Sequence, residues 1–152
     1  MHEMPDLFKE GEWWYLLNSE YSDKKKIVYR MSKSLSGPWI APVDDAFDGR
    51  AYYAGRTFKV GDQRILFGWV PTREENDDRN QFQWGGVLVA HEVFQREDGT
   101  LGVKAPDTVW KAFGSEEKAE QDWLLETVDS RQEAVIGRRC GQLFRMEADV
   151  TF

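Results

Sequence analysis

Tyr52-Tyr53-Ala54-Gly55-Arg56-Thr57-Phe58-Lys59-Val60, then Gly61-Asp62, then Arg64-Ile65-Leu66-Phe67-Gly68-Trp69-Val70 is the stretch that decides the fold. Two runs rich in β-branched and aromatic residues flank a Gly-Asp pair, which reads as a hairpin turn. The same pattern extends in both directions. Upstream, Leu7-Phe8-Lys9 runs into the turn Glu10-Gly11-Glu12, and Trp13-Trp14-Tyr15-Leu16-Leu17 follows as an apolar strand. Asn18 to Lys26 is polar, and Ile27-Val28-Tyr29-Arg30-Met31 is the next strand. Ser36-Gly37-Pro38 is a turn and Trp39-Ile40 a short edge strand. Downstream, Gly86 to Phe94 is a strand, Asp98-Gly99 a turn, and Thr100-Leu101-Gly102-Val103 its return. Strands of this length, with turns about every 8–12 residues, predict an all-β fold. A sandwich, a barrel and a propeller all remain open on this pattern.

The character changes after Pro106. Ser115 to Leu125 is charged and permissive of helix, and reads as a short helix or linker. Glu133 to Ile136 and Gln142 to Phe152 return to strand. In the last run Leu143, Arg145, Glu147 and Asp149 share one parity, and Phe144, Met146, Ala148 and Val150 the other, as in a half-buried strand. That strand runs to Phe152 with no partner in view, which reads as one piece of a larger fold. The expected division is 1–106, a linker over 107–126, and a second all-β segment over 127–152. No short-period repeat is present.

The chain has 152 residues, 20 Lys and Arg against 27 Asp and Glu, and a net charge of −7. Nucleic-acid backbones and anionic membrane surfaces need a positive footprint, so neither is an expected partner. No apolar run reaches the length of a membrane span, and the start, Met1-His2-Glu3-Met4-Pro5-Asp6, has no signal-peptide pattern. A soluble protein is expected, cytoplasmic if the start is genuine. The single cysteine, Cys140, leaves no internal disulfide or multi-cysteine zinc site. With 7 Trp, 5 Tyr and 9 Phe the chain carries far more apolar area than a disordered segment.

Few residues offer chemistry by themselves. His2 and His91 lack metal-type spacing and read as surface or packing histidines. Gly85-Gly86 is too short for a dinucleotide loop, and no nucleophile elbow occurs. No metal and no cofactor is expected. The carboxylates say more. Pro5 stiffens the extended backbone behind Glu3-Met4, which could aim Glu3 into a cleft as a general acid; a solvated terminal Glu is the plainer reading. Arg73 to Arg79 reads as a solvated loop. Asp44, Asp45 and Asp48 around Phe47 and Gly49-Arg50 read as a turn.

Taken together, several segments resemble glycoside hydrolase family 32, the invertases, levanases and fructanases. Glu3-Met4-Pro5-Asp6-Leu7-Phe8 is similar to that family's E-C-P-D-L-F element, with Met4 in place of Cys. Gly37-Pro38-Trp39 resembles its G-P-W turn. The run from Phe47 to Phe58 is similar to its D-x-G…F-Y-A-x-x-T-F segment, and Arg64 to Trp69 to its R-R-I-L-x-G-W strand. Trp84-Gly85-Gly86, Gln95 and Asp98 to Leu101 resemble the strands near the end of its propeller. Phe144 to Val150 resembles the start of its C-terminal sandwich. The order of the six matches is that of the family.

The resemblance implies a five-bladed β-propeller followed by a β-sandwich, of which this chain would hold about the last two blades, a linker and the first sandwich strands. It implies hydrolysis of β-fructosides such as sucrose or fructans with retention, by two carboxylates about 5–5.5 Å apart. Glu3 matches the acid/base. Asp48 is a candidate neighbour that raises the pKa of Glu3, or a sugar binder, although the family's acidic residue stands two before the glycine and Asp48 stands immediately before it. Arg50 or Arg56 is a candidate contact to the same sugar. Trp84 is a candidate stacking wall or a core residue, and Tyr53 is placed equally well for substrate or for packing. Met4 and Cys are both apolar and polarizable, so that exchange leaves Glu3 in place. The family's N-D-P-N-G element, which carries the nucleophile, and its R-D-P element do not occur here. The chain would therefore be the acid/base-bearing fragment of a β-fructosidase, inactive alone. Its expected partners are a fructose-containing saccharide and either the missing propeller part or a second copy. The alternatives are a non-catalytic carbohydrate-binding or assembly module acting with a partner chain, and an unrelated all-β binding protein with Glu3 accidental.

Overall fold

A computed structural model describes residues 1–114. The readings placed on Ser115–Leu125, Glu133–Ile136 and Gln142–Phe152 lie outside the described residues. Two compact units divide the chain, Met1–Pro106 and Asp107–Phe152. In the second, a single helical turn, α1 (Asp107–Trp110), is described. Among the described residues no helix is long and apolar enough to cross a membrane.

Unit one is all-β, built of two four-stranded antiparallel sheets in simple meander order. The first sheet holds β1 (His2–Glu10), β2 (Trp13–Glu20), β3 (Lys26–Ser32) and β4 (Ala46–Phe47). The second holds β5 (Tyr53–Val60), β6 (Gln63–Arg73), β7 (Phe82–Gln95) and β8 (Leu101–Lys104). Most strands outrun the apolar runs that signal them, because ladder hydrogen bonds continue through polar residues at the strand ends. The clearest difference is at Trp39-Ile40. Ile40 makes only an isolated bridge to Met31, and the edge of the first sheet is Ala46–Phe47 instead. Phe47 is buried there against Tyr29, with ring centroids 5.2 Å apart, and apolar burial selects it over the exposed Ile40.

A structural repeat with an offset of 50 residues runs through the leading hairpin of each sheet. Glu10 pairs with Trp13 across Gly11-Glu12, and Val60 pairs with Gln63 across Gly61-Asp62. Gly11 and Gly61 have φ of 57° and 60°, the positive φ that a two-residue hairpin needs at its first central position and that glycine adopts without strain. Each leading strand then carries a register shift at the same place, between Glu3 and Asp6 in β1 and between Tyr53 and Arg56 in β5. Met4 and Ala54 sit in these bulges at φ 52° and 55°, an unusual region for residues with a Cβ.

The core lies between the sheets. Phe8, Tyr15, Leu17, Ile27 and Tyr29 from the first sheet meet Leu66, Val93 and Leu101 from the second, together with Tyr52 from the connection. Polar contacts lock this interface. The Tyr15 hydroxyl donates to Gly99 O at 2.6 Å, and the Tyr29 hydroxyl accepts from Leu101 N at 3.0 Å. The Asp6 carboxylate accepts from Thr57 N at 2.7 Å. Glu10 bridges to Lys59 at 2.9 Å and Arg64 at 3.3 Å, and the Arg64 guanidinium lies 3.8 Å from the centre of the Phe8 ring.

Burial pushes the Glu10 carboxyl upward, but the hydrogen bonds and charges of Lys59 and Arg64 together outweigh it and hold Glu10 below its ordinary 4.5. A carboxylate depressed in the folded state adds stability above its unfolded pKa and loses it as the pH falls through the folded value. Acid titration of thermal stability therefore has a limb below about pH 4.5 that is shallower in Glu10→Gln. An unchanged limb in that variant would show that the bridge does not couple the sheets.

Candidate functional site

Glu3 and Tyr53 are equivalent positions of the repeat, each immediately before its bulge, and they meet. The Tyr53 hydroxyl donates to Glu3 Oε2 at 2.8 Å. Burial first, and the adjoining Glu3 carboxylate second, push the Tyr53 phenol far above its usual range. Tyr53 thus stays protonated and serves Glu3 as a fixed donor. One carboxylate oxygen is held, while Oε1 carries no hydrogen bond among the described residues. Ser19 stands opposite Glu3 in the ladder and is fully buried. Its hydroxyl has no hydrogen-bond partner among the described residues.

An aromatic cleft opens beside this pair, lined by Tyr21, Tyr53, Trp69 and Trp84 with Lys25 and Phe82. It is shallow: its cavity volume is about 20 Å³, so it is an open aromatic surface rather than an enclosed pocket. Trp84 is 74% exposed. It stacks on Tyr21 at 6.2 Å with ring planes 3° apart and tilts against Trp69 at 6.0 Å. Trp69 in turn meets Tyr53 edge-on at 6.5 Å. The indole, backed by two rings, presents a flat apolar face to solvent. It is not a core residue.

The other candidates separate. Arg50 lies near the cleft, with its guanidinium 5.5 Å from the Phe82 ring centre and its Nε donating to Asp23 O at 3.1 Å. Asp48 does not meet Glu3 in any hydrogen bond. Its Oδ2 lies 2.7 Å from His91 Nε2, and its Oδ1 accepts from Gly49 N at 2.6 Å. The hydrogen-bonding neighbour of Glu3 is Tyr53, in the place that the sequence reading offered to Asp48. Arg56 is exposed on β5, and no hydrogen bond or ion pair reaches its side chain among the described residues. His91 packs against Tyr52, with ring centroids 5.0 Å apart.

Sequence reasoning missed Tyr21, Trp69, Phe82 and Lys25. Trp69 carried a usable signal. Counting back from the Gly61-Asp62 turn pairs Tyr53 with Val70, and the bulge shifts that partner to Trp69. Lys25 has φ 47°, and no sequence pattern announces that. Among the described residues no group of three or more His, Cys, Asp or Glu could hold a metal ion.

No family model and no curated protein matches the sequence. Solved structures match it in fold. A thermostable family-43 glycoside hydrolase superposes with TM-score 0.53 and 17% identity over 69% of this chain and 36% of its own. A xylan β-1,4-xylosidase from Bacillus Halodurans C-125 gives TM-score 0.54 and 18% identity over 68% of this chain and 22% of its own. A third structure, described as a glycoside hydrolase, gives TM-score 0.51 and 20% identity over 79% and 29%. The chain spans between 22% and 36% of the length of these three structures. Identities this low carry the fold alone: an all-β stretch of antiparallel sheets folded like part of these propeller structures.

Two indoles at 6.0 Å and 40° couple as excitons. Trp69→Phe and Trp84→Phe are each expected to remove the same circular-dichroism couplet while leaving the melting transition cooperative. A couplet that survives in either variant would contradict the geometry of the cleft.

Proposed function

We propose that this chain is the acid/base-bearing part of a retaining β-fructosidase related to glycoside hydrolase family 32, acting on sucrose or a fructan. The observation that carries the reading is the Glu3 carboxylate, tied to Tyr53 beside an aromatic cleft that both Tyr53 and Trp84 line. The ordered motifs from Glu3-Met4-Pro5 to Asp98-Gly99 support the family, and the propeller glycoside-hydrolase fold supports the reaction class.

In this reading Glu3 donates a proton to the leaving glycosidic oxygen while a second carboxylate attacks the anomeric carbon. The glycosyl-enzyme ester then breaks as Glu3 takes a proton from the attacking water. The 152 residues contain no N-D-P-N-G element, so a companion segment supplies the nucleophile. Trp84 stacks on the sugar, and Tyr53 keeps Glu3 oriented. Arg50, near the cleft, is the better placed of the two arginines to contact the sugar. Asp48, paired with His91, shapes the loop after β4.

A second reading, assembly with another chain or copy, is supported by the 50-residue repeat. Phe8, Tyr15 and Leu17 are buried under the second sheet, whereas their equivalents include Phe58 at 62% and Phe67 at 37% exposure. An apolar row of this kind favours association. Sedimentation of the chain is expected to show concentration-dependent self-association that weakens in Phe58→Lys, and a strict monomer would remove this reading.

Calorimetric titration of the chain tests the main reading. A β-fructoside is expected to bind, to lose its affinity in Trp84→Ala, and not to be hydrolysed. In an enzyme containing this sequence together with its nucleophile, Glu3→Gln is expected to lower kcat by about 10²–10⁴-fold with KM kept. Binding only of arabino- or xylo-oligosaccharides would move the substrate to the pentosides. Unchanged kcat in Glu3→Gln would refute the role of Glu3.

A further inference from the structure

We infer that one end of the aromatic cleft is an anion-binding subsite built by Lys25, Arg50 and Arg73 around Phe82, so that the glycoside taken here carries an anionic substituent: a phosphate, a sulfate or a carboxylate. The inference deepens the carbohydrate reading of the cleft and rests on it.

Three cations gather around one ring. Lys25 Nζ lies 5.3 Å from the Phe82 ring centre, the Arg50 guanidinium 5.5 Å and the Arg73 guanidinium 3.6 Å. Lys25 and Phe82 both line the cleft. None of the three cations makes an ion pair among the described residues. Arg30, Lys33, Lys59, Arg64, Arg79 and Lys104 do have a carboxylate within reach; what sets Lys25, Arg50 and Arg73 apart is that three such unpaired charges share one ring. The hydrogen bonds of Arg50 and Arg73 go instead to backbone carbonyls, Asp23 O at 3.1 Å and Asn80 O at 2.6 Å. Carbonyls orient a guanidinium without neutralising it.

Phe82 explains how the cluster survives. The negative face of its ring attracts cations but removes no charge. The three positive groups repel one another, and an incoming anion relieves that repulsion while gaining from each of them. Arginine's planar fork suits tetrahedral and planar oxyanions alike. Lys25 is held in the left-handed region, φ 47°, with Lys25 N donating to Ser22 O at 3.1 Å and Lys25 O accepting from Ala51 N at 2.9 Å. The backbone therefore fixes where this lysine starts. The cleft is thus polarised, with Glu3 on Tyr53 and the cations on Phe82.

Titration of the full chain with fructose, fructose 6-phosphate and inorganic phosphate tests this. The phosphorylated sugar is expected to bind about tenfold more tightly than the neutral one, with the gain fading as salt is added. Lys25→Gln and Arg73→Gln, checked for native circular dichroism, are each expected to remove the gain while sparing fructose. Sulfated and carboxylated sugars then identify which anion fits. Equal affinity for the charged and neutral sugars, unaffected by either variant, would overturn the subsite and leave the glycoside reading standing. Phosphate binding that the variants abolish, without binding of any sugar, would uphold the subsite and overturn the glycoside reading.

Discussion

The hydrogen bond from Tyr53 to Glu3 depends on two backbone bulges, and the site depends on that bond. In each leading strand two residues stand against one on the neighbouring strand. Such a bulge re-aims the side chain beside it. Because side chains alternate faces along a strand, one residue fewer would turn Glu3 or Tyr53 onto the opposite face. Met4 and Ala54 accept a left-handed backbone for this, at a cost on the order of 1 kcal/mol each. Conformational strain is tolerated where surrounding contacts overdetermine it, and here the contacts are close at hand. Asp6 holds Thr57 N just past both bulges.

The same two-sheet interface that positions the site also carries the stability of unit one. Its centre is aromatic: Phe8, Tyr15, Tyr29 and Phe47 form a run of tilted rings at 5.2 to 6.2 Å. Burying tyrosine there requires that each hydroxyl find a partner. Tyr15 and Tyr29 find theirs in Gly99 O and Leu101 N, and so anchor the β7–β8 connection to the first sheet. A hydrophobic interface with a few satisfied polar contacts is selective as well as cohesive, since a slipped register would leave those groups unpaired.

Electrostatics gives the cleft a direction that its shape does not. Arg30, Lys33, Lys59, Arg64, Arg79 and Lys104 are held in ion pairs, whereas the three cations on Phe82 make none among the described residues and share one ring. That ring and Lys25 line the cleft together with Tyr53, the residue that binds Glu3.

The all-β class, the hairpins at Gly11-Glu12 and Gly61-Asp62, and the strands around them were legible in the sequence, because turn residues and β-rich runs are local signals. The carbohydrate role proposed for Glu3 rests on resemblance, since a lone glutamate near a proline has no chemistry that spacing reveals. Trp39-Ile40 reads as an edge strand yet is replaced by Ala46–Phe47, because burial of Phe47 is a tertiary matter. Tyr21, Lys25, Trp69 and Phe82 come to one cleft from four different segments. Their convergence follows from packing and from bulge-shifted registers, which no local pattern encodes. The sequence by itself determined the hairpins and most of the strands around them. The tertiary structure alone decided what stands beside Glu3, because two bulged strands in different sheets bring Tyr53 to it across 50 residues of chain.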